Sequence, residues 1–223
     1  METHFETGLD NLKQQLLTMA GHAETAVNQA LQALAQRDYD LALRVKKSDS
    51  IIDQFEITID ELAIQLLTKA PLATNLRFVT VAMKISQNLE RIGDEASKIA
   101  KRARDLSQEP PVKLNLDLPR MAALALEMLK ASLDAFVNHD SAAARAVIPC
   151  DKEVDALNKK IHAALAQHMV ANPDTIGRCL HWMVVSKSLE RIADHATNIA
   201  EEIVYLCEAE DIRHVHAPVP PPK

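Results

Sequence analysis

The sequence predicts an all-α protein built from two tandem three-helix bundles related by an internal repeat. Three observations carry this expectation. Glycine is scarce, at 4 of 223 residues, and aromatic residues make up only 3%, while strong helix formers such as Ala, Leu, Lys, Glu and Gln dominate. Apolar residues recur at three-four spacing along long segments. The second half of the chain repeats the first.

The first helix is expected from about Phe5 to Ala35, with Leu9, Leu12, Leu16, Met19, Ala23, Val27, Ala30 and Leu34 on one apolar face. Arg37-Asp38 reads as a turn, with Asp38 capping a second helix that runs to about Thr68 before Pro71. A third helix is expected from Thr74 or Asn75 to about Leu106. The proline-rich stretch SQEPPVKLNLDLP follows. A fourth helix starts near Asp117 and Pro119, and Asn138-His139-Asp140 is the next turn. The fifth runs from Ser141 to Ala171, and Pro149 must kink it or delay its regular start. Asn172-Pro173 opens the sixth, which continues to about Asp211 ahead of the proline-rich HAPVPPPK. The expected organisation is a first bundle over 1–108, a linker over 109–116, a second bundle over 117–212 and a tail over 213–223.

The repeat is explicit. MKISQNLERIGDEASKIA (83–100) and MVVSKSLERIADHATNIA (183–200) share ten of eighteen positions. Asp49 and Asp53 correspond to Asp151 and Asp155 at an offset of 102. Each half therefore carries two carboxylate pairs at i, i+4: Asp49/Asp53 with Glu90/Asp94, and Asp151/Asp155 with Glu190/Asp194. That spacing puts both members of a pair on one helical face. Asp53 and Glu90 are equidistant from residues 71–72, as are Asp49 and Asp94; the second set is centred on residues 172–173. Folding each hairpin at its turn brings four carboxylates to matching heights. Two unit charges about 6 Å apart repel by roughly 0.7 kcal/mol in water and roughly 3 kcal/mol at an effective dielectric near 20. A cation removes that repulsion, and an all-oxygen set suits hard ions such as Mg, Ca, Mn or iron. Lys98, four residues after Asp94, is expected to pair with it and weaken the first set as a cation site, where the second half has Asn198.

Other features bound the function. The formal charge of −6 argues against a nucleic-acid partner. Cys150, Cys179 and Cys207 have no metal-type spacing and read as thiols in a reducing, cytoplasmic compartment. METHFETGLD lacks a secretory-signal pattern, and no apolar run reaches the roughly 18 residues of a membrane span. His214 and His216 read as solvated, and Trp182 as a core anchor. There is no glycine-rich phosphate loop and no His/Cys nucleophile pair.

The segments LERIGD (89–94) and LERIADHATNIAE (189–201), with LRFV (76–79), resemble the signature segments of the PhoU family, a likeness that extends over about residues 5–210. The resemblance implies a non-enzymatic cytoplasmic regulator of phosphate uptake and the phosphate-starvation response. It implies a homodimer, peripheral to the membrane at most, that couples the ATPase of a phosphate ABC transporter to a sensor histidine kinase. It also implies multinuclear iron or zinc clusters at the eight carboxylates. The competing classes are a carboxylate-bridged metalloenzyme or iron store and a metal-dependent phosphatase. The first usually carries Glu-x-x-His on core helices, and no histidine here has a glutamate three residues before it.

Overall fold

The computed structural model describes residues 2–68 and 73–213. The expected turn at Pro71-Leu72, the tail from residue 214 and with it His214 and His216 lie outside them. Among the described residues every regular element is helical: α1 (Glu2–Gln36), α2 (Tyr39–Leu67), α3 (Ala73–Ser107), α4 (Leu118–Asn138), α5 (Ser141–Val147), α6 (Asp151–Ala171) and α7 (Ile176–Glu208).

The turn chemistry repeats with the sequence. Arg37 adopts a left-handed φ of 55°, and Asp38 accepts from the Leu41 amide at 2.9 Å. In the second half His139 takes a φ of 51°, and Asp140 accepts from the Ala143 amide at 2.9 Å. Each aspartate satisfies an amide the first turn leaves unpaired. Pro149 breaks the long fifth helix of the sequence reading into α5, a 3-10 turn at Ile148–Cys150, and α6, because its ring blocks the helical hydrogen-bond ladder. Lys47 occupies the corresponding place in α2, which runs unbroken. Three boundaries move. α3 begins at Ala73, so neither Thr74 nor Asn75 caps it; a 3-10 turn at Pro173–Thr175 delays α7; and α7 ends at Glu208, with Ala209 at φ 61°.

α1–α3 form one three-helix unit, and α4 with the broken α5–α6 and α7 forms the other. The two share a continuous apolar core. Between them α3 and α7 run antiparallel: Lys84 meets Glu202, Asn88 meets Asn198, Glu95 meets Arg191, and Arg102 meets His181. Leu89, Ile92, Ala96, Leu189, Ile192 and Ala196 are fully buried along these two helices.

The linker is part of the fold. The Arg37 guanidinium donates to the Leu106, Ser107 and Glu109 carbonyls, which places a cation on the C-terminal end of α3. Arg178 donates to the Pro110 carbonyl at 3.0 Å. Val112, Leu114 and Leu116 then pack against the core, and with Leu31, Leu118 and the partly buried Trp182 they line an apolar cavity of about 370 Å³. No helix is long and apolar enough to cross a membrane among the described residues.

Candidate functional site

Each helical hairpin gathers its carboxylates. In the second half, α6 presents Asp151 and Asp155, and α7 presents Glu190 and Asp194. Asp194 is pushed up to about 6 by burial and then by the charges of Glu190, Asp151 and Asp155, against which Lys187 works. Asp151 is raised by burial, Asp155 and Glu190. Asp151 Oδ1 and Glu190 Oε2 are buried oxygens without a hydrogen bond; Glu190 Oε2 has only an ion-pair contact with Lys187.

In the first half, α2 supplies Asp49 and Asp53, and α3 supplies Glu90 and Asp94. Burial raises Asp49, a hydrogen bond from Ser97 opposes it, and the charges of Asp53 and Asp94 raise it further. Glu90 is raised by burial and then by Asp94, with Glu56 and Asp53 contributing; Arg91 opposes. Its Oε2 is buried without a hydrogen bond and touches the Arg91 Nε at 3.3 Å. The height matching read from the sequence thus places all four members of each set in one electrostatic neighbourhood.

The donor set fits a cation on two counts. It is all oxygen, and it holds buried carboxylate oxygens with no hydrogen bond: Glu90 Oε2 and Glu190 Oε2 meet only the Arg91 and Lys187 charges, and Asp151 Oδ1 is buried with no hydrogen bond, an arrangement that burial makes unfavourable and that added positive charge relieves. Among the described residues, however, no group of three or more His, Cys, Asp or Glu side chains is arranged to hold a metal ion.

Two features differ from the sequence reading. Lys98 pairs with Glu95 at 2.8 Å rather than with Asp94, and Asp94 meets Arg91 at 3.6 Å. Arg91 lies against the first cluster and Lys187 against the second, and the Lys98 charge still reaches the first cluster, where it opposes the raising of Asp49. The sequence reading also missed Glu56. It lies on α2 one turn beyond Asp53, and burial, Asp60, Asp53 and Asp94 raise it, with Arg91 opposing. Its counterpart Asn158 is buried and accepts from Ser186 at 2.6 Å. The three-four ladder 49, 53, 56, 60 was the available signal, and the repeat concealed it.

Between the hairpins lies Glu95, 4% exposed. It accepts from Lys98 and from Arg191 at 3.2 Å. Burial pushes its carboxyl up, but hydrogen bonds from Lys98, Ser188 and Arg191 outweigh this and hold it below the ordinary glutamate value. The corresponding His195 bonds Asn88 across the same junction at 2.9 Å.

The fold and site define a duplicated helical protein whose equivalent hairpins each hold an acidic cluster. The chain belongs to the PhoU family: the model of the PhoU domain matches twice, over residues 16–103 and 118–203. A phosphate-specific transport system accessory protein PhoU homolog of Pseudomonas aeruginosa is 38% identical over 213 residues, covering 95% of this chain and 88% of that protein. A homolog of the same description from Caulobacter vibrioides is 38% identical over 206 residues, 92% of this chain and 90% of the relative. The crystal structure of PhoU from Pseudomonas aeruginosa superposes with a TM-score of 0.90 at 37% identity, covering 92% of this chain and all (100%) of that one. The phosphate transport system regulatory protein PhoU from Streptococcus pneumoniae gives 0.82 at 29% identity, with 93% and 99% covered.

Proposed function

We propose that this protein is a non-enzymatic regulator of phosphate uptake that acts by contact with a phosphate ABC transporter. The supporting observation is the full-length likeness to relatives named as phosphate-specific transport system accessory proteins. In this reading the protein works in the cytoplasm as a homodimer, touches the transporter's ATPase and a sensor histidine kinase, and keeps the phosphate-starvation response silent when phosphate is plentiful. The test is expression of phosphate-starvation genes in a deletion strain grown in phosphate-rich medium. Constant expression is expected, and silence equal to the parent strain's overturns the reading.

Metal binding is part of the same proposal. Asp49, Asp53, Glu90 and Asp94 would hold one iron or zinc cluster, and Asp151, Asp155, Glu190 and Asp194 a second; Mg, Mn and Ca suit the same oxygen chemistry. Bound metal would supply positive charge that neutralises the clustered carboxylates. The residues themselves contribute buried, mutually repelling oxygens, and the neighbouring Arg91 and Lys187 partly offset that repulsion in its absence.

A further inference from the structure

One end of the molecule is basic, although the chain as a whole is acidic. Arg37, in the α1–α2 turn, and Arg178, in the first turn of α7, both donate to carbonyls of the crossover that leaves α3. The α1–α2 turn, the C-terminus of α3, the start of α4 and the α6–α7 turn therefore lie at one end. Residues 37–47, 99–120 and 156–182, which make up that end, carry twelve Lys and Arg against six Asp and Glu. The rest of the chain carries thirteen against twenty-five. The formal charge of −6 thus conceals a basic end and a strongly acidic remainder.

Pairing sharpens the imbalance. Of the six carboxylates, Asp38 caps α2, Asp105 meets Arg104, Glu109 and Asp174 meet Arg178, and Asp117 meets Lys160, which leaves Asp40. Arg44, Lys46, Lys47 and Lys101 are exposed and form no ion pair. The turns at the same end project apolar side chains. Tyr39 opens α2 and is 40% exposed, Val170 ends α6 at 84%, and Ile176 opens α7 at 43%. Arg44 to Lys47 follow Tyr39 by five to eight residues, so at 1.5 Å per residue they stand about 8–12 Å behind the turn. Ile57 and Ile64, farther along α2, are also exposed, but they stand among Glu56, Asp60 and Glu61.

We propose that this end seats on an anionic bilayer surface, with Tyr39, Val170 and Ile176 entering the headgroup layer and Arg44, Lys46, Lys47 and Lys101 facing the lipid charges. The headgroup layer is about 5–8 Å thick on each side of a bilayer, and a surface-seated element buries its apolar side by about 5–10 Å. The set-back of the cations places them where that layer meets water. Tyrosine and the long basic side chains are the residues that favour this boundary, and each Lys or Arg near an anionic surface strengthens attachment by about fivefold. The acidic remainder is repelled by the same surface, so the charge separation also orients the molecule. A folded acidic protein would satisfy the cations, but the apolar side chains sit on two separate turns with Arg37, Glu109 and Arg178 between them. A fluid surface accommodates such an arrangement without a matching groove. The inference adds a location to the regulatory reading, and none of its observations depends on that reading.

The test is flotation of the full chain with vesicles of phosphatidylcholine alone and of phosphatidylcholine mixed with phosphatidylglycerol. Binding to the anionic vesicles at low salt should be at least about tenfold tighter than to the neutral ones and should be lost at high salt. Lys46→Gln with Lys47→Gln and Lys101→Gln should weaken it by about 100-fold. Val170→Ser with Ile176→Ser should weaken it by at least about fivefold, whereas Ile64→Ser should leave it unchanged. Circular dichroism melts confirm that the variants fold. The proposal is overturned by no binding to anionic vesicles, by equal binding to both kinds, by a charge variant or a turn variant that binds as the wild type does, or by Ile64→Ser weakening binding as much as the turn variant. A blank vesicle result for a protein whose deletion still switches on the starvation genes removes the membrane seat alone and leaves an acidic protein as the partner of this end. Vesicle binding by a protein whose deletion changes nothing removes the regulatory reading alone.

Discussion

Ile52 occupies the space that a side chain at Gly93 would need: a Cβ at 93 would stand 2.8 Å from Ile52 Cδ1 and 3.4 Å from its Cγ2. Gly93 lies mid-helix in α3, where glycine costs roughly 1 kcal/mol relative to alanine, so its place reflects the close approach of α2. The equivalent positions in the second half are Val154 and Ala193, both fully buried. One methyl has in effect moved from one helix to the other.

Gly93→Ala should therefore destabilise the protein by up to about 2 kcal/mol, the overpacking penalty of about 1–3 kcal/mol less a gain of about 1 kcal/mol in helix propensity. Ile52→Val alone should cost about 0.5–1.5 kcal/mol. The double variant should melt close to the wild type, because valine lacks the offending Cδ1. A double-mutant cycle by thermal melting gives the coupling, and strictly additive losses would show that the contact does not govern this position.

Adding Fe, Zn, Mn or Mg to metal-free protein should raise its melting temperature, because the carboxylates converge only in the folded hairpins. At about 100-fold excess over Kd the gain is roughly 2.7 kcal/mol, or about 5–10 °C for a chain of this size. Glu190→Gln with Asp194→Asn should remove the second cluster's share. A wild-type melting curve indifferent to all four metals would count against both clusters.

In chelator, stability should fall as pH rises across the Asp194 titration. The folded group sits at about 6 against an ordinary 3.8, so the native state binds the proton more tightly than the unfolded chain does. Stability is thus lost between those two values and stays lost above the upper one. Asp194→Asn should flatten this slope when melting temperature is followed from acid to neutral pH. An unchanged slope would place the titration elsewhere.

Glu95 works in the opposite sense. Its folded value lies below the ordinary one, so its contribution is present above the unfolded value and is lost as pH falls through the folded value. Glu95→Ala should cost about 1–3 kcal/mol at neutral pH. This is less than the usual penalty for breaking a buried pair, because Lys98 and Arg191 are about half-exposed, at 45% and 51%, and can resolvate. Urea unfolding of the variant at neutral and acid pH measures both the loss and its disappearance in acid.

Local features were the legible ones. Asp38 caps because its side chain reaches the amide three residues ahead, Asp140, read only as part of a turn, does the same, and Pro149 interrupts its helix as a proline beyond the first turn must. The i, i+4 carboxylates and their distances to the turns followed from helical geometry alone. Lys98 was misread because a helical lysine can reach back three residues as well as four, and burial decided for Glu95. The Glu95–Arg191 and His195–Asn88 contacts join positions about a hundred residues apart, and only the register of α3 on α7 creates them. In 109–116 the prolines drew attention away from the alternating Val112, Leu114 and Leu116, the pattern of an extended strand of chain with one apolar side.

Because Arg37, Arg178 and that apolar alternation fasten the crossover along its length, the peptide bond there is only one of several ties between the halves. A nick at the exposed Lys113 should leave two fragments that copurify. Expressed as separate polypeptides, residues 1–113 and 114–223 should find each other and rebuild the antiparallel seam of α3 and α7.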